Sequence, residues 1–187
     1  MVLAYHLILS FYGFWLPNDE RGFWSERVRK YELRQFGPAT RVKTRRSLAD
    51  KPFDPIRREE MRYVLKHNPV QVNGEQARLV AAGFAYASAE RDYTVHACAI
   101  MPNHAHLVFG RHESPIEKIV EHFKSRATRQ LNVADINPLP RSPWSKGHWA
   151  VYLNSTEAIH RTIRYTENNP IKDGFKRQHW KFITPYV

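Results

Sequence analysis

Apolar and polar residues alternate along this chain with two different periods, which separate predicted strands from predicted helices. Four short runs are rich in apolar residues and poor in charge: 3–14, 94–101, the run after Pro102, and 149–153. Runs of this length and composition are typical of strands in a buried sheet. A turn at Pro102 and Asn103 predicts that the second and third strands form an antiparallel pair.

The first long helical segment is predicted over residues 73–91. Asn73 can cap it, and Gln76 three residues later completes a pattern that resembles a capping box. A shorter helix is predicted to begin after Asp54, with Pro55 at its first position. The stripe of the long helix predicted to face the core comprises Leu79, Ala82 and Tyr86.

Two further helices are predicted in the second half of the chain. One covers 114–131 and opens with a capping box and a proline. The other begins at Ser155 and is expected to end near Asn169, because a residue before proline disfavours helical geometry.

The order of these elements predicts an α+β fold, a ferredoxin-like or RRM-like βαββαβ sandwich with an antiparallel sheet, followed by a C-terminal helix. The helices of the sandwich are expected on one face of the sheet. The chain has 187 residues, which suits one domain spanning 1–187 with a basic insert at about 25–70.

Charge changes the picture by indicating a polyanionic partner. The formal net charge is +11, and 13% of the residues are aromatic. Arg and Lys hold phosphates while aromatic faces stack on unpaired bases, so single-stranded nucleic acid is the first candidate. The alternative is an ordinary solvated basic surface. The predicted DNA-binding residues are Arg41, Lys43, Arg45, Arg46, Lys124, Arg126, Arg129 and Lys172.

Some classes of protein are disfavoured. The single cysteine, Cys98, cannot form an intrachain disulfide and lies in an apolar run, which is typical of a core residue in a reducing compartment. No apolar run reaches the roughly 18 residues that a membrane span requires. The expected location is therefore the cytoplasm.

The candidate chemistry begins with His104 and His106. Residues i and i+2 of a strand point to one face, about 7 Å apart along the chain, so the two imidazoles can share one divalent metal. The alternative is two unrelated strand histidines. His96 is a further possible ligand, as is His148 in a loop, whereas His6 is expected to be a hydrogen-bonded core residue.

Tyr165 and Asn169 lie one turn apart on the last predicted helix, off its apolar stripe. They would sit at a helix end, within reach of a neighbouring site. Taken alone, Tyr165 would be interpreted as a surface tyrosine that packs on a tryptophan.

The stretch 101–108, M-P-N-H-A-H-L-V, resembles the histidine–hydrophobic–histidine signature of the HUH nucleases, in the form found in single-tyrosine transposases. The later stretch 165–174 fits Y-x-x-x-N-P-x-K-x-G and resembles the REP-associated tyrosine transposases. The opening Y-H-L-I at residues 5–8 is also similar to transposase-like proteins. The resemblance covers most of the chain and is least clear at about 25–70.

The resemblance implies a specific reaction. Tyr165 would be the nucleophile, forming a 5′-phosphotyrosine linkage on single-stranded or hairpin DNA and leaving a 3′-OH. His104 and His106 would bind Mg²⁺ or Mn²⁺, with Asn169 at the place where relatives carry a third ligand. An amide oxygen is a weaker ligand than a carboxylate. The protein is expected to act as a monomer or a homodimer.

Two alternatives remain open from the sequence. One is a module of the same fold that binds single-stranded nucleic acid without cutting it. The other is a metal nuclease that uses water as the nucleophile, with Tyr165 in a structural role. The second alternative predicts that hydrolysis survives the loss of the Tyr165 hydroxyl.

Overall fold

A computed structural model describes residues 1–14, 16, 33, 35–36 and 54–187. The chain forms two compact units, one of Met1–Ser10 with Gln71–Val187 and the other of Phe11–Val70. The predicted DNA-binding residues Arg41, Lys43, Arg45 and Arg46 lie outside the described residues, as does most of the predicted basic insert. The prediction of one domain over 1–187 stays a prediction.

The first unit contains a four-stranded antiparallel sheet. Its strands are β1 (Ala4–Ser10), β2 (Val95–Ile100), β3 (His104–Gly110) and β4 (Trp149–Leu153), in the spatial order β2-β3-β1-β4. The predicted turn is present, since the Met101 amide donates to the His104 carbonyl at 2.8 Å. All four predicted strands and the antiparallel pair are confirmed.

Three helices complete this unit: α2 (Gly74–Arg91), α3 (Ile116–Val133) and α4 (Thr156–Lys172). The order β1-α2-β2-β3-α3-β4 is a ferredoxin-like sandwich, and α4 follows it as the predicted C-terminal helix that carries Tyr165. The predicted capping box of α2 is confirmed, because Asn73 and Gln76 exchange backbone-to-side-chain hydrogen bonds at 2.9 Å.

One face of the sheet packs on α2 and α3 and is wholly apolar at its centre. The Phe109 ring of β3 is tilted by 58° against the Phe123 ring of α3, which in turn lies edge-on to Phe84 of α2. The two helices approach closely at Gly83, where an added Cβ would meet the Ala127 Cα at 2.4 Å. Only glycine permits this crossing.

The predicted core stripe of α2 was wrong. Tyr86 is 55% exposed, and Leu79 and Ala82 are half-buried. The apolar residues of this helix are distributed around its whole circumference, so their periodicity could not identify the face that packs on the core. The residues that face the core are Val80, Ala81, Gly83, Phe84, Ala87 and Ser88.

The other face of the sheet is covered by α4, the helix that follows the sandwich. Ile159 of α4 is buried against Ala97, Val108 and Leu153 of three different strands. The helix also extends to Lys172, past the predicted end near Asn169. Pro170 lies within the last turn, so it removes only the hydrogen bond to the Thr166 carbonyl, and the helix continues for just two residues beyond it.

The second unit contains α1 (Pro55–Tyr63), which begins at the predicted cap, Asp54. Asp54 accepts a hydrogen bond from the Arg57 amide at 3.1 Å. Met61 of this helix packs in a small apolar cluster with Leu16, Leu33 and Phe36. No helix among the described residues is both long enough and apolar enough to cross a membrane.

Candidate active site between β3 and α4

His104 and His106 lie side by side on β3, as their spacing predicts. The Nε2 atoms of the two rings are 2.8 Å apart, and the ring centroids are 4.7 Å apart. His106 is 2% exposed because α4 covers it, whereas His104 is half-buried nearer the strand end. The Oδ1 atom of Asn103 lies 2.5 Å from Nδ1 of His104 and can accept its proton.

Helix α4 brings Asn169 and Tyr165 to the same pair. The Asn169 amide nitrogen is 2.7 Å from Nε2 of His106. The Tyr165 ring meets the His106 ring edge-on, with centroids 5.7 Å apart, and remains 43% exposed. The ammonium of Lys172 lies 5.0 Å from the Tyr165 ring centroid, within the range of a cation–π contact.

A third histidine, His6 of β1, completes the cluster from the opposite side of His106. Its Nε2 is 2.9 Å from Nδ1 of His106, and the two rings stack with centroids 5.1 Å apart. The Tyr165 ring meets His6 edge-on as well, at 6.1 Å. His6 is thus the hydrogen-bonded core residue that the sequence predicts.

Burial keeps the two inner rings neutral. It lowers the pKa of His6 to about 4. Burial also lowers the pKa of His106 well below the ordinary value, and a positive charge on either His104 or His6 would lower it further. A neutral imidazole carries one N–H and one lone pair, so each ring can offer one nitrogen to a metal ion.

These residues fit a divalent metal. When His104 donates Nδ1–H to Asn103, and His106 donates Nδ1–H to His6, both Nε2 atoms carry lone pairs only 2.8 Å apart. Two such lone pairs repel unless a cation lies between them. The amide of Asn169 can turn its oxygen to the same point by rotation about its last torsion.

The donor set bears on which metal would fit. Two imidazoles and one amide oxygen suit Mn²⁺ better than Mg²⁺, which prefers oxygen ligands. No cluster of three or more His, Cys, Asp or Glu side chains suited to a metal occurs among the residues that the structure describes. The third ligand that this cluster offers is therefore the amide of Asn169.

Of the two other histidines considered as ligands, His96 is engaged elsewhere. His96 lies on β2, where its Nδ1 is 2.9 Å from the Thr184 carbonyl and its ring packs edge-on against Tyr186. His148 lies beside α3, where burial lowers its pKa first and the charge of Lys124 lowers it further.

The predicted DNA-binding residues of α3 differ in their surroundings. Lys124 donates to the carbonyls of Ser145 and Gly147 at 2.7 Å, and burial lowers its pKa to about 8. Arg126 donates from Nε to Glu90 at 2.6 Å. Arg129 is exposed on the same helix.

Sequence reasoning did not assign a role in the site to His6, Asn103 or Ser10. Ser10 pairs with His104 in the strand register, and its buried hydroxyl has no hydrogen-bond partner within the described part of the chain. The alternation along β1 places Ser10 and His6 on the same face as His104 and His106 once the register is known. The register was the missing information.

Comparison with known proteins shows similarity to transposases in sequence and in fold. Residues 40–169 match the model of the IS200-like transposase family, which is more than two thirds of the chain. A solved structure described as a REP-associated tyrosine transposase bound to a REP hairpin is similar, with a TM-score of 0.50 and 12% identity. That likeness covers 93% of this chain and 70% of the other, and it concerns the fold.

A crystal structure of a candidate transposase from Deinococcus radiodurans R1 has a TM-score of 0.40 at 14% identity. The match covers 90% of this chain and 91% of that one. No curated protein matches the chain.

Proposed function

This chain belongs to the IS200-like transposase family, and on that premise we propose that it is a metal-dependent endonuclease and strand transferase acting on single-stranded DNA. Tyr165 is its nucleophile, and His104, His106 and Asn169 hold its metal. The reaction cuts and rejoins DNA through a 5′-phosphotyrosine intermediate. It serves transposition or the processing of REP-type hairpins.

One observation carries this proposal: a phenol, an amide and a second imidazole, from α4 and β3, all contact the ring of His106. Asn169 contacts His106 at 2.7 Å, and Tyr165 contacts the same ring from one helical turn earlier. A tyrosine that merely packed on a core would not need a buried polar cluster beneath it. Tyr165 is 43% exposed, so its side chain is accessible from solvent.

Bound Mn²⁺ or Mg²⁺ would stabilise negative charge on the scissile phosphate. The chain's own residues orient the site. Asn103 and His6 fix the rings of His104 and His106, and α4 holds Tyr165 beside them. Because α4 covers the sheet at Ile159, the helix is anchored to the same strands that carry the histidines. The nucleophile on α4 and the histidine ligands on β3 are thus held by two elements that pack directly on each other.

In the chemical step, the Tyr165 oxygen forms a bond to phosphorus and the bond from phosphorus to the 3′ oxygen breaks. The phenol proton leaves, and the departing 3′ oxygen takes up a proton to become a hydroxyl. A free phenol has a pKa of about 10, so its proton must be accepted as it attacks. Attack by a 3′-OH reverses the step and rejoins the strands without an external energy source.

The DNA partner is supported by charge and by the relative with the similar fold. The net charge of +11 attracts phosphates, and the solved relative is described as bound to a REP hairpin. Lys172 beside Tyr165, together with Arg129, Arg126 and Lys124 of α3, are the proposed contacts within the described chain. The insert arginines and lysine predicted above complete the set. The DNA substrate implies a cytoplasmic, nucleoid-associated location.

The test is covalent trapping. The protein is mixed with labelled single-stranded DNA carrying hairpins and with Mn²⁺, then run on a denaturing gel. We expect a band shifted by the mass of the protein, absent in Tyr165→Phe and after chelation. Tyr152→Phe serves as a matched control, because Tyr152 is also about half exposed but lies on β4.

The other outcomes identify the alternatives. Cleavage without any adduct, retained by Tyr165→Phe, would establish a water-using nuclease. Tight DNA binding with neither cleavage nor adduct, across a pool that includes REP-type hairpins, would establish a non-cutting module. Either result would overturn the assignment of Tyr165 as nucleophile.

A further inference from the structure

His6 is a buried polar residue in an apolar setting. It is 7% exposed, and its strand neighbours on that face, Ala4 and Val108, belong to a fully apolar cluster. Its only hydrogen bond recorded among the described residues joins its Nε2 to Nδ1 of His106 at 2.9 Å. A polar group in such surroundings needs that bond, because burial without a partner is costly.

The hydrogen bond constrains both rings. Two ring nitrogens can bond only if one carries the proton and the other a lone pair. When His106 donates from Nδ1, its Nε2 must carry the lone pair. The amide nitrogen of Asn169, placed 2.7 Å from that Nε2, then has an acceptor. A single tautomer of His106 therefore satisfies both contacts.

The same tautomer is the one that a metal ligand requires. Nε2 of His106 faces Nε2 of His104, so the lone pairs of the two rings converge. The stacked arrangement of His6 on His106, with an interplanar angle of 18°, also limits rotation of the inner ring. Direction and protonation of the His106 ring are both set from the β1 side.

We propose that His6 is a positioning residue of this site, which accepts the Nδ1 proton of His106 and thereby presents the Nε2 lone pair to the metal. This inference rests on the proposed function, since it assigns a purpose to a contact with one of the proposed ligands. It adds a residue from the first strand to a site built from β3 and α4.

The experiment measures Mn²⁺ affinity by titration calorimetry or by electron paramagnetic resonance, for wild type and three variants. His6→Leu removes the acceptor, and we expect Mn²⁺ to bind at least about tenfold more weakly. His6→Gln offers an amide oxygen at a similar reach, and we expect it to restore affinity to within about threefold of wild type. His96→Leu is the matched control, because His96 is a partly buried strand histidine bonded to Thr184 instead.

A second measurement reads the tautomer directly and needs no metal. In protein with ¹⁵N-labelled histidine, the ring nitrogen shifts of His106 should report a protonated Nδ1 and an unprotonated Nε2. In His6→Leu that preference should be lost, while a merely space-filling role for His6 would leave it unchanged. A wild-type His106 protonated at Nε2 would overturn the inference, even if His6→Leu failed to fold.

His106→Ala separates this inference from the proposed function. If His106→Ala leaves Mn²⁺ binding unchanged, the proposed metal site itself is wrong. If His106→Ala weakens binding while His6→Leu binds within threefold of wild type, the metal site stands and only the positioning role of His6 falls.

Discussion

The two faces of the sheet are built from the same four strands but differ in the polarity of the side chains buried on them. The face under α2 and α3 is filled by apolar side chains such as Phe84, Phe109 and Phe123, all with no exposed surface. The face under α4 contains His6 and His106, the buried hydroxyl of Thr166, and in the strand register Ser10. Of the buried polar side chains described, only Ser88 lies on the other side.

The difference shows how a small domain separates stability from chemistry. Apolar packing under α2 and α3 stabilises the sheet through area removed from water. The α4 face gives up part of that area for polar groups. His6 and His106 bond to each other, whereas the hydroxyls of Ser10 and Thr166 have no hydrogen-bond partner among the described residues. Alternation along each strand keeps the two environments apart.

The largest effect is expected from truncating a side chain on the apolar face. Phe84→Ala should cost about 3–5 kcal/mol of unfolding free energy, because it opens a cavity between α2, α3 and the sheet. Urea unfolding followed by circular dichroism measures this loss. The folded fraction should retain its affinity for Mn²⁺.

Tyr86→Ala is the matched control, since it truncates an aromatic residue two positions away on the same helix. Tyr86 is exposed, so the change should stay within about 0.5 kcal/mol. A loss for Tyr86→Ala as large as that for Phe84→Ala would contradict the assignment of the core face of α2.

A smaller effect is expected on the polar face. Asn169→Asp should tighten Mn²⁺ binding by about tenfold, because a carboxylate is a stronger ligand for a hard cation than a neutral amide. Without metal the same change should reduce stability, since a carboxylate oxygen would face the lone pair of His106. Calorimetric titration measures the change in Mn²⁺ affinity, and thermal unfolding with and without Mn²⁺ measures the change in stability.

Asn168→Asp is its control, because it adds the same charge one residue away, where Asn168 accepts a hydrogen bond from Arg177 at 3.1 Å. It should change Mn²⁺ affinity by less than about threefold. Equal affinities for Asn169→Asp and wild type would show that residue 169 does not ligate the metal.

The smallest effect compares the caps of the helices on the two faces. Ser155 accepts from the Ala158 amide at 3.2 Å at the start of α4, and Asn73 caps α2. Ser155→Ala and Asn73→Ala should each cost about 1 kcal/mol. Hydrogen exchange should quicken in the first turn of α4 for one variant and of α2 for the other.

The Ser155→Ala and Asn73→Ala variants should differ in the rate at which they form the covalent adduct with DNA. Only Ser155→Ala should slow it, by less than about threefold, because α4 carries Tyr165 and α2 carries no proposed site residue. Slowing by Asn73→Ala at a concentration where the protein stays folded would argue against separate roles for the two faces.

Much of this arrangement was predictable from local sequence. Short apolar runs and caps at Asn73, Asp54 and Ser155 placed the strands and helix starts, because those signals depend on residues a few positions apart. The spacing of His104 and His106 placed both rings on one face. A transposase was expected from the motifs at 101–108 and 165–174, and the match to the IS200-like transposase family confirms it.

Other features failed for identifiable reasons. The core face of α2 was misassigned because apolar residues surround the helix and the close approach at Gly83 decides which side packs. The end of α4 was placed too early, because tertiary contacts of the last turn outweigh the preference of a residue before proline. The burial of His106 under α4 was not predicted, because no local sequence signal indicates which face of the sheet a terminal helix will occupy.

The sequence by itself determined the elements, the family and the candidate ligands, because periodicity, caps and motif spacing act over one or two turns of chain. Only the tertiary structure decided that His6 bonds to His106 and that α4 buries the cluster. Those contacts join residues about one hundred positions apart, and they depend on strand register and on which helix covers which face. The chemistry of single residues is local, whereas their protonation and direction are set by neighbours that only folding supplies.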